Sequence, residues 1–164
     1  MAGRGKEAGS ETPRSETPGK KGVDPAWVAA AAWEHAADAV VVTDASRRIV
    51  LLNPAAEELT GWHAGDALGA GCGELLACVD VESGRDLCGP SCPGWQALQT
   101  LDDVGRKEMS ILTAQGRRVQ VSASHAAIPA TDSHGRFLVM VLRDVSFARR
   151  LESELRQARD RLLA

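Results

Sequence analysis

The sequence predicts an α+β fold, in which short helices lie on one face of a five-stranded antiparallel sheet and a further helix lies at each end. Two observations lead to this prediction. Two strand patterns joined by a turn occupy residues 39–52, and three more, separated by turn residues, occupy residues 108–142. The residues between these groups include helical patterns. Strands grouped on either side of a block of helices are typical of α+β proteins.

The first two strands are predicted to form a β-hairpin. Val40–Val42 is a run of β-branched residues, and Ile49–Leu52 is a second apolar run. Residues 44–48 lie between them and have the polar composition of a turn. A helix is predicted directly afterwards, because Asn53 suits an N-cap and Gly61 is placed to end the segment.

The N-terminal region is predicted to be a disordered tail followed by a helix. Residues 1–24 are rich in Gly, Ser, Thr, Pro, Glu and Lys, which cannot bury enough apolar surface to offset the cost of ordering. The helix begins after Asp24 and is predicted to reach about Ala37. Trp27 and Trp33 on this helix can cover either the domain's own core or a partner protomer. The first is the preferred interpretation.

The second half of the domain is predicted to contain one helix and three strands. The helix is expected over Pro93–Leu101. Residues 108–113 alternate loosely, residues 119–123 alternate cleanly between apolar and polar side chains, and Phe137–Leu142 is almost continuously apolar. The last of these is expected to be a central strand.

Two short motifs resemble those of the PAS family. The first is N-x-A-x5-G-[YW], and the second is the D-[IV]-[TS] motif that joins a PAS sheet to a signalling helix. They are formed here by Asn53, Ala55, Gly61 and Trp62, and by Asp144, Val145 and Ser146. The resemblance covers about residues 27–146 and implies a sensory module in which short helices close a ligand cavity. We expect that cavity to be apolar and lined by Met109, Ile111, Val121 and Met140.

The C-terminal helix has a heptad pattern. Its apolar residues recur at spacings of 3, 4, 3 and 4, as a short parallel coiled coil requires. The seam residues are Ala148, Leu151, Leu155, Ala158 and Leu162. The pattern predicts a homodimer, whereas the other interpretation is an amphipathic helix that folds back on its own domain.

The cysteines are the only concentrated set of chemically reactive side chains. All four lie within a span of 21 residues, and such clustering in a cytosolic protein favours metal binding or redox work over structural disulfides. They are Cys72, Cys78, Cys88 and Cys92. Their spacing resembles a PAS subgroup with a C-x3-C-P motif, although that motif does not establish a ligand. The candidates are a zinc ion or an iron–sulfur cluster bound by all four, a reversible thiol pair, and inert thiols.

Composition and missing motifs exclude several other functions. Residues 25–142 hold eight basic and fourteen acidic side chains, a net charge of −6, which argues against nucleic-acid binding by the domain. No segment is long and apolar enough to predict a membrane span, so we expect a cytoplasmic protein. No P-loop, nucleophile elbow, kinase motif or Asn-Cys-Arg-Phe flavin motif occurs, which predicts a protein that is not an enzyme. The four histidines show no metal-binding spacing and are interpreted as surface or hydrogen-bonded core residues.

These observations divide the chain into a tail (1–24), an N-terminal helix (25–38), a PAS domain (39–146) and a signalling helix (147–164). The predicted function is a sensory module that detects redox state, a gas or a metal through the cysteines and acts on a downstream kinase or regulator. The alternatives are a protein-interaction or small-ligand module with inert cysteines, and the input fragment of a histidine kinase or transcription regulator.

Overall fold

The computed structural model describes residues 22–164 and confirms the predicted α+β fold. Most of the predicted disordered tail, residues 1–21, lies outside the described residues. The elements in chain order are α1 (Pro25–His35), β1 (Ala39–Asp44), β2 (Ile49–Leu52), α2 (Pro54–Thr60), α3 (Ala64–Ala67), α4 (Cys72–Leu76), β3 (Val79–Asp80), α5 (Pro93–Thr100), β4 (Val104–Leu112), β5 (Arg118–Ile128), β6 (Phe137–Asp144) and α6 (Ser146–Leu163).

The sheet has six antiparallel strands in the order β2-β1-β6-β5-β4-β3. The prediction of five strands was therefore wrong by one. The additional strand, β3, contains only Val79 and Asp80, which pair with Ser110 and Met109 of β4. Two residues are too few to show an alternating pattern, so this strand was not predictable from the sequence.

The hydrophobic core lies between one face of the sheet and the short helices α2 to α5. Leu138, Met140 and Leu142 of β6 and Val41 of the neighbouring β1 supply buried side chains, and α5 adds Ala97 and Leu98. The continuously apolar sequence of β6 fits this position, because β6 pairs with a strand on both sides. This arrangement places α4 and α5, which carry cysteines, against the middle of the sheet.

Asn53 joins the first hairpin to α2. Its Oδ1 accepts hydrogen bonds from the N–H groups of Ala56 (2.9 Å) and Val40 (2.8 Å), and its Nδ2 donates to the carbonyl of Asp38 (3.0 Å). The side chain is fully buried. The helix then ends at Gly61, whose φ of 73° lies in the left-handed region that glycine tolerates. The predicted N-cap and helix end are both confirmed.

Helix α1 does not bury its tryptophans in the domain core, which corrects the preferred interpretation of this segment. None of its residues is buried, and Trp27 is 68% exposed while Trp33 is half-buried. The helix touches α2 and ends at His35, two residues before the predicted end. Its alanine-rich sequence offers no apolar stripe that could fix one face against the sheet. Within residues 22–164, no helix combines the length and hydropathy that crossing a bilayer would need.

Candidate thiol site

The four cysteines lie on three neighbouring pieces of backbone. Cys72 is the first residue of α4, Cys78 directly precedes β3, Cys88 follows the β3 turn, and Cys92 is the N-cap of α5. The Sγ of Cys92 accepts a hydrogen bond from the N–H of Trp95 at 3.4 Å. All four are free cysteines. The fold thus brings the four cysteines together on one side of the sheet.

A tight hairpin-like turn brings Cys78 and Cys88 together. The N–H of Leu87 donates to the carbonyl of Cys78 (2.8 Å), and the N–H of Asp80 donates to the carbonyl of Arg85 (2.8 Å). At the open end of this turn, the N–H of Cys78 donates to the Sγ of Cys88 at 3.1 Å. Gly73 allows α4 to approach closely, because a Cβ at this position would lie 3.1 Å from the Cβ of Cys88.

The pairing changes the acidity of the two thiols in opposite directions. Hydrogen bonding between the Cys78 and Cys88 side chains lowers the pKa of Cys88 to about 7, and the hydrogen bond from the Cys78 N–H acts in the same direction. The side-chain hydrogen bond, together with burial, raises the pKa of Cys78. Burial also raises the pKa of Cys72 to about 11. Cys88 is therefore the more acidic thiol of the pair, and Cys78 is the less acidic one.

All four cysteines line one small cavity against the sheet. Its volume is about 20 Å³, and Met109 and Met140 form part of its wall. The volume is close to that of a single water-sized sphere, so the cavity has room for about one water molecule or one ion. Ile111 and Val121 are fully buried in the core but do not line it. Of the four residues expected to line a ligand cavity, two are thus placed at its wall.

Two side chains that the sequence did not single out also line this cavity. Arg47 reaches it from the β1–β2 turn, where its guanidinium donates to the carbonyl of Cys88 (2.9 Å) and lies 5.3 Å from the centre of the Trp95 ring. His125 reaches it from β5 and is 4% exposed. Burial lowers the pKa of His125 to about 4, so its imidazole is neutral at pH 7. Neither residue belongs to a local motif, and only the fold brings them to the cysteines.

The interpretation of the histidines as surface or hydrogen-bonded core residues is wrong for His125. Its Nδ1 is buried and has no hydrogen-bond partner among the described residues. Buried polar atoms are almost always hydrogen-bonded, and one without a partner requires an explanation. Because His125 lines the cavity, an occupant of the cavity would be in a position to supply this partner.

The cysteines and His125 surround the same cavity but do not form a ready metal site. Within residues 22–164, no three Cys, His, Asp or Glu side chains have an arrangement that could hold a metal ion. Metal binding would require the donor atoms to move closer together. The Cys78–Cys88 pair needs no such movement to make its hydrogen bonds.

The predicted coiled-coil seam lies on α6 and is exposed. Leu151 is 46%, Leu155 63% and Leu162 87% exposed, and the two alanines of the seam are exposed as well. The helix makes only slight contact with β5 and buries none of its residues. Its first turn is tied to the sheet by an ion pair from Arg149 to Glu108 of β4, and Arg149 also pairs with Glu152 within the helix.

Comparison with known proteins agrees with this fold. The family model described as the PAS fold matches residues 30–76. Comparison with curated protein sequences gives no significant match. Solved structures of PAS domains are similar to the chain over about three quarters of its length. The chain therefore has the PAS fold.

Three of the similar structures illustrate the extent of the likeness. A PAS domain from Colwellia psychrerythraea is 20% identical, with a TM-score of 0.61, over 75% of this chain and 98% of that one. The PAS domain of nitrogen regulation protein NR(II) from Vibrio parahaemolyticus is 19% identical, with a TM-score of 0.57, over 71% and 97%. A domain of a sensory box sensor histidine kinase/response regulator from Geobacter sulfurreducens is 22% identical, with a TM-score of 0.53, over 73% and 93%.

Proposed function

We propose that this PAS domain is a sensory or regulatory module, and not an enzyme, whose input is the cluster of four cysteines and whose output is α6. Two of the similar domains come from proteins with signalling names, a nitrogen regulation protein and a sensor histidine kinase/response regulator. That likeness supports the class of function. The chemistry of the input rests on the cysteines themselves.

The best supported chemistry is reversible oxidation of a thiol pair, and the contact between Cys78 and Cys88 carries it. The hydrogen bond from the Cys78 N–H to the Cys88 Sγ holds the two residues side by side at the open end of the hairpin-like turn. A thiolate is the reactive form of cysteine, and Cys88 has the lowered pKa. A nearby second thiol is what converts an oxidised cysteine into a disulfide.

Hydrogen peroxide is a sufficient oxidant for this reaction. The Cys88 thiolate attacks one peroxide oxygen, the O–O bond breaks, and after protonation the products are a sulfenic acid and one water. The Cys78 sulfur then attacks the Cys88 sulfur, the S–O bond breaks, and a second water leaves. Two thiols are oxidised by two electrons in total, and one peroxide is reduced to two waters. A reducing thiol reverses the change by exchange.

Oxidation of the purified protein with one equivalent of peroxide should produce a Cys78–Cys88 disulfide. The expected result is a mass loss of two hydrogens and the loss of two alkylatable thiols, because the pair is already in contact. Peptide mapping by mass spectrometry identifies the linked residues. Cys88→Ser should abolish the product and Cys92→Ser should retain it. A disulfide that forms equally well without Cys88 would contradict the assignment.

Metal binding is the second candidate function, favoured by the four sulfur donors around one cavity. Thiolates suit zinc and iron. A site of about 20 Å³ fits a single ion and is too small for an iron–sulfur cluster without expansion of the site. When bound, zinc would supply a rigid link between α4, the β3 turn and α5, whereas a cluster would supply reactivity towards oxygen or nitric oxide. Metal analysis and a visible spectrum of anaerobically purified protein separate the two, because only the cluster absorbs visible light.

The direct passage of β6 into α6 supports the proposed direction of the signal. Met140 lines the cavity on β6, the strand that leads directly into α6. At the junction, the N–H of Val145 donates to the carbonyl of Gln120 (3.0 Å), and the Oδ1 of Asp144 accepts from the N–H of Ser146 (2.8 Å). A shift of β6 would therefore alter the direction in which α6 leaves the sheet.

Replacing Leu151 and Leu155 with Glu should convert a homodimer into a monomer that keeps its sheet. Both side chains are exposed in the single chain and lie on the predicted seam, so the charges would be buried only in a dimer. Sedimentation at tens of micromolar, roughly the Kd range of a marginal interface, measures the change. The matched control places the same charges outside the seam, in Ser153→Glu with Gln157→Glu. Wild-type protein that is already monomeric at this concentration would rule out the coiled coil.

A further inference from the structure

A second, open pocket lies beside the thiol cavity, the small cavity that the four cysteines line. Its volume is about 360 Å³, and its walls come from the β1–β2 turn, the start of α4 and Cys88. Small-molecule sites usually measure roughly 300–1,000 Å³, so this pocket has the size of a ligand site. Arg47, Cys72 and Cys88 line both the pocket and the thiol cavity. A molecule in the open pocket would therefore lie against the proposed input of the protein.

The open pocket reaches one thiol of the Cys78–Cys88 pair and not the other. Cys88 lines it and is half-buried, whereas Cys78 lines only the thiol cavity. Cys72 also lines the pocket, but it is buried and its pKa is raised to about 11. A reactant in the pocket would therefore meet Cys88 as the nucleophile, while Cys78 stays in contact with Cys88 as the second thiol.

Arg47 is fixed between the two sides of the pocket. Its carbonyl accepts from the N–H of Cys72 (2.9 Å), and its guanidinium donates to the carbonyl of Cys88 (2.9 Å). The turn that carries it is held by Asp44, whose Oδ1 accepts from the N–H groups of Ser46 (2.8 Å) and Arg48 (2.9 Å). A charge held in this way beside Cys88 loses little entropy when a ligand binds.

The two arginines of this turn leave the pocket with an excess of positive charge. Arg48 is exposed, and its guanidinium donates to the carbonyl of Gly69 (2.8 Å). Within residues 22–164, neither Arg47 nor Arg48 forms an ion pair with a carboxylate. Glu74 is the one acidic residue of the lining, so two positive side chains face one negative one. Guanidinium groups that lack carboxylate partners favour a ligand that carries carboxylates.

We propose that this pocket binds a low-molecular-weight disulfide that carries carboxylates and presents its sulfur–sulfur bond to Cys88. The inference rests on the proposed reversible oxidation of the Cys78–Cys88 pair and names a second class of oxidant for it. Hydrogen peroxide is small and uncharged, so neither a 360 Å³ pocket nor two arginines would be needed to admit it. A disulfide between two carboxylate-bearing molecules uses both features.

The reaction consists of two thiol–disulfide exchanges. The Cys88 thiolate attacks one sulfur of the small disulfide, its S–S bond breaks, and one small thiolate leaves and takes up a proton. The product is a mixed disulfide on Cys88. The Cys78 sulfur then loses its proton to solvent and attacks the Cys88 sulfur, and the second small thiol leaves. The protein's two thiols are oxidised by two electrons, and one small disulfide is reduced to two thiols.

Oxidation rates of the full chain with disulfides of different charge test this inference. The probes are oxidised glutathione, which carries carboxylates, and cystamine, which carries only ammonium groups, with hydrogen peroxide as the uncharged reference. Arg48→Gln should slow the reaction with oxidised glutathione by about two- to fivefold, the effect of losing one exposed ion pair. It should not slow the other two reactions. The ratio of wild-type to variant rate is compared for each oxidant, because this ratio cancels the oxidants' different intrinsic reactivities.

Two further arginine variants serve as controls. Arg48→Lys keeps the charge and should react with oxidised glutathione at a rate closer to that of wild type. Arg85→Gln removes an exposed arginine that is three residues from Cys88 but does not line the pocket, and it should behave as wild type does. Arg48 is chosen over Arg47 because Arg47 donates to Cys88 itself, and its loss would also disturb the thiol.

Removal of the second thiol tests the order of the two exchanges. Cys78→Ser should accumulate the mixed disulfide after treatment with oxidised glutathione, because the second exchange has lost its nucleophile. Intact-mass measurement detects the adduct, and peptide mapping should locate it on Cys88. An adduct located on Cys72 or Cys92 instead would contradict the proposed entry route.

The outcomes separate this inference from the proposed function. If peroxide forms the Cys78–Cys88 disulfide but Arg48→Gln changes the rates with oxidised glutathione and cystamine equally, or changes neither, the pocket does not recognise carboxylates and only the present inference fails. If Arg85→Gln is as slow as Arg48→Gln, the effect belongs to the overall charge and the pocket is again excluded. If neither peroxide nor any disulfide links Cys78 to Cys88, both proposals fail.

Discussion

Asn53→Ala should lower the free energy of unfolding by about 3–4 kcal/mol, a large part of the ~5–15 kcal/mol that stabilises a typical domain. The substitution removes the N-cap of α2, which alone is worth about 1 kcal/mol. It also leaves the N–H of Val40 and the carbonyl of Asp38 without their Asn53 partners, at about 1–3 kcal/mol for each group that stays buried. Urea unfolding at pH 7 measures the difference.

Asp24→Ala is the matched control for this prediction. Asp24 is also an N-cap followed by proline, and its Oδ1 accepts from the N–H of Ala26 at 3.0 Å. The residue is exposed, and α1 buries nothing, so its loss should cost less than about 1 kcal/mol. Equal losses in the two variants would show that Asn53 acts only as a helix cap and does not lock α2 to β1.

Helix caps and strand alternation were predictable from the sequence. Asn53 and Gly61 were identifiable because capping and left-handed helix ends depend on the residue itself and its immediate neighbours. The alternation of residues 119–123 likewise indicates a half-buried strand without knowledge of its partners. The order of these local patterns along the chain was sufficient to predict the α+β fold and its antiparallel sheet.

Features that depend on partners far away in the sequence were less predictable. Whether Trp27 is buried depends on how α1 sits against the rest of the protein, and its own sequence specifies no face. β3 exists because the Cys78–Cys88 turn brings it beside β4. A local pattern encodes neither fact.

The candidate site was likewise predictable only in part from the sequence. The cysteines were visible as a cluster because they are close in sequence. Arg47 and His125 were not, because they lie 25 residues before Cys72 and 33 residues after Cys92. A single buried histidine in an alternating strand resembles any other core residue until the hydrogen bonds around it are known. The unused Nδ1 of His125 was therefore accessible only from the structure.

Acidification of the metal-free protein should lower its free energy of unfolding by about 3 kcal/mol more than it does in His125→Leu. Burial lowers the pKa of His125 to about 4 in the folded protein, whereas an exposed histidine has a pKa near 6.5. Between these values the unfolded chain binds a proton that the folded chain does not, so stability falls as the pH falls. The difference of about 2.5 pKa units corresponds to the stated free energy at ~1.4 kcal/mol per unit.

The pH window follows from the same two values. The contribution of a neutral His125 is fully present above about pH 6.5 and is progressively lost down to about pH 4, below which both states are protonated. Urea unfolding at half-unit pH steps, with a chelator and a reducing agent present, measures the two curves. Other titrating groups are common to both proteins and cancel in the difference.

The same reasoning predicts the stability of the His125→Leu variant at neutral pH. There, the variant should be as stable as wild type or slightly more stable, because it removes a buried polar atom that has no partner among the described residues. The curves should therefore separate only as the pH falls below about 6.5. Parallel curves across the whole range would mean that His125 can take up a proton without unfolding, which requires water or another acceptor in the thiol cavity.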